Sequence, residues 1–236
     1  MRIRHLSGIV LDGARRTMPL DTILAIAGAV SALLLVAGLL AGIISGKNNN
    51  TWRIWPAPPV GSLKSFAFWT LFRTLNVVVL VLSIERLAAT RIVADPLAIL
   101  RLGFAAASAV AGAAYVYALW SLGREATYCQ ASGLATRGVY RWTRNPQYAT
   151  AIAAFAALGV AAGAWHATSL AAALVAVYAL MAVAEEPWLE ASYGREYLDY
   201  KAEIPRFFNI LHAWTELSAV VARQLPLFAD SRHDKG

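Results

Sequence analysis

Long apolar runs separated by short polar loops constrain the fold of this chain more than any other feature of its sequence. A helix of about 20 apolar residues crosses a bilayer core about 30 Å thick. Five runs approach or exceed that length: Thr22–Ile44, Ser65–Ile84, Leu97–Trp120, Tyr148–Ala162 and Ser169–Ala184. The pattern predicts an all-α, polytopic helical membrane protein with about five transmembrane helices. The last two runs are short and are expected to form a hairpin with a turn at about Gly163–Thr168.

Composition agrees with a membrane protein. Of the 236 residues, 58% are hydrophobic and 15% are charged, whereas about a quarter of an average soluble domain is charged. The formal net charge is +7, but the basic residues are dispersed among spans and loops, so nucleic acid is not an expected partner. The single Cys129 permits no intrachain disulfide. The four histidines share no ligand spacing, so no metal site is expected.

Five spans place the two ends of the chain on opposite sides of the membrane. The side of the connector, Ser121–Gln147, collects more Lys and Arg than the other side. The positive-inside rule therefore predicts that the connector and the C-terminus are cytoplasmic. Four arginines argue for the opposite orientation, because five spans put them outside: Arg2, Arg4, Arg15 and Arg16.

Two polar clusters flank the short hairpin. The first is LATRGVYRWTRNPQY, residues 134–148, whose Asn145-Pro146 step would end any helix running into it. The second polar cluster comprises Glu185-Glu186, Tyr193–Tyr197 and Ile204–Arg206. Because two spans return the chain to the side that it left, both clusters are expected to meet at one membrane face.

These residues resemble a known family. The pattern L-x-T-x-G-x-Y-R-x-x-R-N-P-x-Y, a gap of two spans, E-E-x-x-L and then Y-G-x-E-Y-x-x-Y followed by P-R is similar to the integral-membrane methyltransferases. That group includes isoprenylcysteine carboxyl methyltransferase and the phospholipid N-methyltransferases. The resemblance covers about Gly123–Arg206 and implies S-adenosyl-L-methionine as the cofactor.

The resemblance also implies the site. The positions aligned with that family's cofactor contacts give these cofactor-binding residues: Glu125, Leu134, Ala135, Tyr140, Asn145, Pro146, Tyr148 and Glu185. Tyrosine rings suit a sulfonium through cation–π attraction, and a carboxylate suits ribose hydroxyls or an amine. Arg144 and Glu186 are predicted to be catalytic, with the guanidinium of Arg144 pairing a carboxylate or phosphate.

Some positions depart from the carboxyl methyltransferases. That branch has Gln at Glu125 and His at Ser132 and Asn145, which affects local cofactor contacts. It also has a substrate-binding Arg at the position of Met181. Without that arginine, recognition of a prenylcysteine carboxylate by the same route is missing, so the acceptor stays open.

The sequence therefore predicts one membrane-embedded domain, residues 1–236. Residues 1–120 hold the N-terminal spans, 121–206 form the cofactor-binding catalytic half, and 207–236 form an interfacial C-terminal helix and tail. Pro187–Glu203 is also expected to lie at the interface, because charged and aromatic residues are interleaved there.

The leading functional hypothesis is an S-adenosylmethionine-dependent integral-membrane methyltransferase. Its acceptor would be a lipophilic or small nucleophile: a phospholipid amine, a thiol or an isoprenoid-linked acid. One alternative is an NADPH-dependent membrane reductase similar to the sterol reductases. Another is a non-catalytic membrane protein with the same fold. The sequence leaves the oligomeric state open.

Overall fold

The computed structural model describes residues 18–45, 62–90, 95–122 and 133–208. All regular structure in these ranges is helical: α1 Leu20–Ser45, α2 Leu63–Ala88, α3 Ala98–Leu122, a 3₁₀ helix Gly138–Arg141, α4 Pro146–Ala162 and α5 Trp165–Glu203. Helices α1, α2, α3 and α5 are long and apolar enough to cross a membrane. The prediction of a polytopic helical membrane protein is confirmed.

Helix α4 is the short member of the bundle. Its 17 residues span about 26 Å at a rise of about 1.5 Å per residue, slightly less than a bilayer core. Pro146 occupies its first turn, where a missing N–H costs nothing, and Gly163 ends it in the left-handed conformation. The helix packs between α3 and α5. These neighbours support a helix that is barely long enough to cross a bilayer by itself.

The bundle core lies where α1 and α2 pack against α5. Leu75, Val79 and Leu82 of α2 are fully buried against Leu174 and Val177 of α5. Large apolar side chains on the outward faces are exposed instead, among them Leu33 at 70% and Val110 at 72%. A soluble protein rarely exposes so much apolar surface, and lipid chains are the solvent that suits it.

Tyr178 supplies the polar contact inside the bundle. Its hydroxyl donates to Asn76 Oδ1 at 3.0 Å, and the Asn76 amide donates to the Phe72 carbonyl at 2.8 Å. The Tyr178 ring stacks on Phe155, with centroids 5.8 Å apart. A polar pair at span depth is therefore satisfied internally, as membranes require.

The last helix differs from expectation. The sequence predicts a span ending at Ala184 and a separate interfacial helix, but α5 continues through Pro187 to Glu203. Pro187 removes one backbone donor, and buried side chains on both sides of it keep the helix in place, Glu186 before it and Tyr197 after it. The turn before α5 is also shorter than predicted, since it occupies only Gly163 and Ala164.

The only departure from helical backbone within α5 is Gly194, with φ 52° and ψ −124°. This left-handed region is open to glycine and costly for other residues. The last turns of α5 are therefore redirected relative to its membrane-spanning part. The predicted C-terminal helix lies outside the described residues from position 209 onward, and so do the N-terminal arginines.

Arg101 connects α3 to the last turn of α4, next to the α4–α5 turn. Its Nε donates to the Ala161 carbonyl and its Nη2 to the Ala162 carbonyl, both at 2.8 Å. These are carbonyls of the last turn of α4, which lack intrahelical donors. Its Nη1 also pairs with Asp95 at 2.5 Å. The guanidinium lies so close to Gly163 that no Cβ fits between them.

Gly163→Ala should therefore destabilise the bundle. The new Cβ would lie 2.8 Å from Arg101 Nε at a residue with φ 63°, and such a backbone conformation alone costs a non-glycine residue about 1–3 kcal/mol. Gly112→Ala is the control, because its Cβ would meet nothing within 4 Å. We expect reversible unfolding in mixed SDS micelles to show a loss for Gly163→Ala only. Equal stability of the two variants would contradict this packing.

Candidate active site

The connector and the second polar cluster meet at one end of the bundle. The backbone N–H of Arg144 donates to the Pro205 carbonyl at 2.9 Å. The Arg206 carbonyl accepts from the Thr143 hydroxyl at 2.9 Å and from the Asn145 amide at 3.2 Å. Residues about 60 positions apart are therefore joined by three hydrogen bonds, two of them from side chains of the connector.

A buried ion cluster around Glu186 reinforces this junction. Arg206 binds the carboxylate in a bidentate manner, with Nε 2.7 Å from Oε1 and Nη2 2.8 Å from Oε2. Arg144 Nη1 lies 3.1 Å from Oε1, and Lys201 Nζ lies 3.3 Å from Oε2. The side chains of Glu186 and Arg144 are each 7% exposed. The hydrogen bond with Glu186 raises the pKa of Arg206 above its usual value, so this guanidinium stays charged.

Two tyrosines of the redirected end of α5 anchor the connector from the other side. The Tyr200 hydroxyl donates to the Tyr140 carbonyl at 2.6 Å. The Tyr197 hydroxyl accepts from Arg144 Nη1 at 3.1 Å, and the Arg144 guanidinium lies 5.9 Å from the centroid of the Tyr197 ring. Both tyrosines follow the Gly194 break, and both contact the connector.

These contacts enclose a cleft between the connector and α5. Its wall comprises Gly133, Leu134, Ala135, Tyr140, Arg144, Asn145, Gln147, Glu185, Trp188, Leu189, Tyr193, Tyr197 and Tyr200. Four tyrosines and one tryptophan give it an aromatic lining. The cavity measures about 60 Å³, well below the roughly 300–1,000 Å³ of most small-molecule sites. A cofactor-sized ligand therefore extends over the rim or moves part of the wall outward.

Glu185 and Glu186 are neighbours with different surroundings. Glu185 lines the cleft, and its Oε2 accepts from the Tyr148 hydroxyl at 2.9 Å. In the described ranges no cation lies within ion-pair distance of Glu185, whereas three surround Glu186. Successive helix positions are about 100° apart, so one carboxylate enters the cleft and the other enters the ion cluster. Glu185 is the acidic group available to a ligand.

Tyr140 is a neutral hydrogen-bonding group. Its hydroxyl donates to Gln147 Oε1 at 3.2 Å, and its side chain is buried in the cleft wall. Burial, followed by the nearby Glu185 carboxylate, raises the pKa of Tyr140 far above its usual value. The ring therefore presents an uncharged aromatic face at any physiological pH.

Most of the predicted site residues come together. The cleft wall contains six of them: Leu134, Ala135, Tyr140, Arg144, Asn145 and Glu185. Tyr148 is not part of the wall, but its hydroxyl donates a hydrogen bond to Glu185. Pro146 is the first residue of α4. Glu186 lies in the ion cluster and is absent from the wall, and Glu125 lies outside the described residues.

Seven wall residues were not among the predicted site residues: Gly133 and Gln147, which belong to the connector, and five residues of α5, Trp188, Leu189, Tyr193, Tyr197 and Tyr200. Tyr193 and Tyr197 belong to the second polar cluster, which was expected to meet the connector. The sequence analysis placed these residues at the membrane interface, where aromatics are common. The three-residue spacing of Tyr197 and Tyr200, both after the Gly194 break, was the available signal, because such residues share one helix face. That face turns inward to the connector.

Comparison with known proteins gives one match. Residues 100–196 match the family described as phospholipid methyltransferase. The matched segment runs from α3 through the connector and α4 to Glu196 in α5, so it includes Arg144 and Glu186 and ends before Tyr197, Tyr200 and Arg206. No curated protein sequence and no solved structure matches the chain significantly. The resemblance to integral-membrane methyltransferases is thereby confirmed.

Removing the charge of Glu186 should destabilise the protein more than removing a nearby exposed one. Glu186→Gln leaves Arg144, Arg206 and Lys201 without their shared carboxylate, and breaking a buried pair costs about 3–5 kcal/mol. Glu190→Gln, which removes only a half-exposed contact with Lys201, should cost about 1 kcal/mol or less. The measurement is unfolding in mixed SDS micelles followed by circular dichroism. A Glu186 variant as stable as the Glu190 variant would show that the cluster does not hold the junction.

Proposed function

Because residues 100–196 match the phospholipid methyltransferase family, we propose that this chain is an integral-membrane methyltransferase that uses S-adenosyl-L-methionine. The observation that carries the proposal is the cleft between the connector and α5, where a carboxylate without an ion-pair partner in the described ranges, a buried arginine and five aromatic side chains converge. The family match supports a membrane methyltransferase in general. The cofactor, its residues and the acceptor are our proposal.

The groups in the cleft fit the cofactor. Arg144 lines the wall, and its Nε is buried without a hydrogen-bond partner in the described part of the chain. A donor of this kind suits the carboxylate of the methionyl end. Glu185 can accept from the amine or from ribose hydroxyls. Tyrosine faces attract a sulfonium with about 0.5–2 kcal/mol, and Tyr193 and Tyr140 border the same space.

When bound, S-adenosylmethionine supplies an electrophilic methyl group on a sulfonium, which a nucleophile takes by in-line displacement. The chain contributes mainly positioning, since an oriented pair of reactants gains most of its rate from proximity. The neutral phenol of Tyr140 accepts no proton at physiological pH and keeps an electron-rich face toward a cation. Trp188 and Leu189 add apolar surface to the cleft wall.

The two residues predicted to be catalytic receive different roles. Arg144 borders the cleft and is proposed to bind the cofactor directly. Glu186 is proposed to act through Arg144 and Arg206, by fixing the connector and the chain after α5 in one arrangement. It is therefore a positioning residue in this proposal, and its earlier assignment as catalytic stays untested.

A phospholipid amine is the acceptor that we favour. The matched family is described as phospholipid methyltransferase. The cleft also lies at an end of the bundle, where lipid head groups are expected. Met181 is 4% exposed and packs in the apolar core. That position therefore offers no cation to an isoprenoid-linked carboxylate. The excess of Lys and Arg on the connector side supports a cytoplasmic location for this cleft.

Cofactor binding by purified protein in detergent tests the proposal. We expect saturable binding of S-adenosylmethionine in calorimetric titration, and a Kd at least tenfold higher for Glu185→Gln and for Arg144→Gln, which corresponds to about 1.4 kcal/mol or more. Glu203→Gln removes an exposed charge of the same helix and should bind like the wild type. Transfer of labelled methyl to phosphatidylethanolamine should decrease in parallel.

Three outcomes would contradict the proposal. They are the absence of saturable binding, equal affinity of Glu185→Gln and Glu203→Gln, and tighter binding of NADPH than of S-adenosylmethionine. The last of these would favour the membrane reductase. Binding with no transfer to any lipid, thiol or isoprenoid acid would leave a fold that kept the cofactor site and lost the chemistry.

A further inference from the structure

A second cavity lies at the opposite end of the bundle from the cleft. It occupies about 550 Å³ between the first turns of α1 and α5, next to the end of α2. We call it the α1–α5 slot. Successive spans run in opposite directions, so Leu20, Ala88 and Trp165 share one membrane face, and the connector lies at the other. The slot is therefore separate from the site of the proposed methyl transfer.

The inner part of the slot is apolar and extends along the membrane normal. Ala25, Ile26 and Ala29 of α1 form one wall, and Leu170 of α5 belongs to the other. From Asp21 to Ala29 the α1 wall rises about 12 Å, at about 1.5 Å per residue. An apolar groove of this length, with the exposed residues Ile26 and Ala29 along it, suits a segment of one acyl chain.

The outer end of the slot carries two buried side-chain nitrogens that have no hydrogen-bond partner in the described ranges. Arg86 pairs through Nη2 with Asp21 at 3.2 Å, while its Nε is buried and has no hydrogen-bond partner in the described ranges. The Nε2 atom of His166 is likewise buried and unpartnered there. Buried polar nitrogens normally have a partner, and a ligand with acceptor oxygens would pair with Arg86 Nε and with the Nε2-protonated form of His166.

The start of α5 adds to this anion-attracting character. Its N-cap is Ala164, which offers no side-chain acceptor to the N–H groups of the first turn. Helix N-termini favour anions through these N–H groups and the helix dipole. A phosphate, with several acceptor oxygens, satisfies donors that approach from a guanidinium, an imidazole and a helix start. Asp21 is the one acidic group at the rim, and it can accept from the ammonium or hydroxyl of a head group.

We propose that the α1–α5 slot binds a membrane phospholipid of the leaflet opposite the cleft. Its phosphate contacts Arg86 and His166 at the rim, and one acyl chain lies along Ala25, Ile26 and Ala29. Trp165, 83% exposed at the mouth of the slot, lies beside the glycerol region. The site would hold α1 and α5 together through a lipid, independently of the methyl-transfer reaction.

Fluorescence quenching of Trp165 tests this proposal. Full-length protein in detergent is titrated with phosphatidylethanolamine carrying brominated acyl chains, and the Trp165 signal is taken as the difference between wild type and Trp165→Phe. We expect saturable quenching. Arg86→Gln and His166→Ala should each raise the quenching midpoint at least fivefold. Arg195→Gln, which removes an arginine 87% exposed at the other end of the bundle, should leave it unchanged.

Two further arms decide between possible occupants. Brominated diacylglycerol, which lacks the phosphate, and a brominated fatty acid should both quench with a midpoint at least fivefold higher than that of the phospholipid. A midpoint for diacylglycerol equal to that of the phospholipid would overturn phosphate recognition. An equal midpoint for the fatty acid would also overturn the proposal, because the slot would then bind any lipid with an anionic group.

Ala29→Phe provides a variant that keeps every charged group. Its ring fills the slot at an exposed α1 position, so quenching by the phospholipid should be lost while the thermal unfolding temperature stays near that of the wild type. If Arg86→Gln does not fold, this variant decides. An unchanged midpoint for Ala29→Phe would overturn the proposal.

Discussion

The carboxylate of Glu186 is the group on which the arrangement of this membrane face depends. It neutralises guanidinium groups from two chain segments, Arg144 of the connector and Arg206 beyond α5, and it is almost completely buried. Buried charges are costly unless they are paired and hydrogen-bonded. Moving either arginine away would leave buried charge uncompensated, which would cost free energy. Between residues 133 and 145 the only regular structure is the 3₁₀ helix Gly138–Arg141, so this part of the connector relies on the pairing for a fixed position.

The cleft follows from that fixed position. With the connector held by Arg144 and Arg206, the 3₁₀ helix places Tyr140 opposite the last turns of α5, and Tyr200 binds its carbonyl. Glu185, one residue before the ion cluster, then faces the space between them. The two adjacent glutamates therefore have different roles: Glu186 holds the ion cluster together, and Glu185 stays available to a ligand. The helical segment after the Gly194 break completes the wall with Tyr197 and Tyr200.

The membrane spans and the meeting of the two polar clusters could be predicted from the sequence for physical reasons. Apolar runs give the spans because bilayer thickness fixes their length, and a hairpin of two short spans must bring its flanking segments to one face. The chain after Ala184 was not accessible in the same way. Charged and aromatic residues in alternation suit an interfacial helix as well as a buried one, and only Tyr197 and Tyr200 packed on the connector decide between them. The different fates of Glu185 and Glu186 also depended on helix phase relative to partners far along the chain.

The central claim is that the connector and the second polar cluster form one cofactor site. Hydrogen–deuterium exchange of the detergent-solubilised protein, with and without saturating S-adenosylmethionine, tests it most directly. The account predicts slower exchange in peptides covering residues 133–145 and, together with them, in peptides covering 193–206, with no change at the start of α5. Protection of one of these segments without the other, or of neither at saturating cofactor, would contradict it.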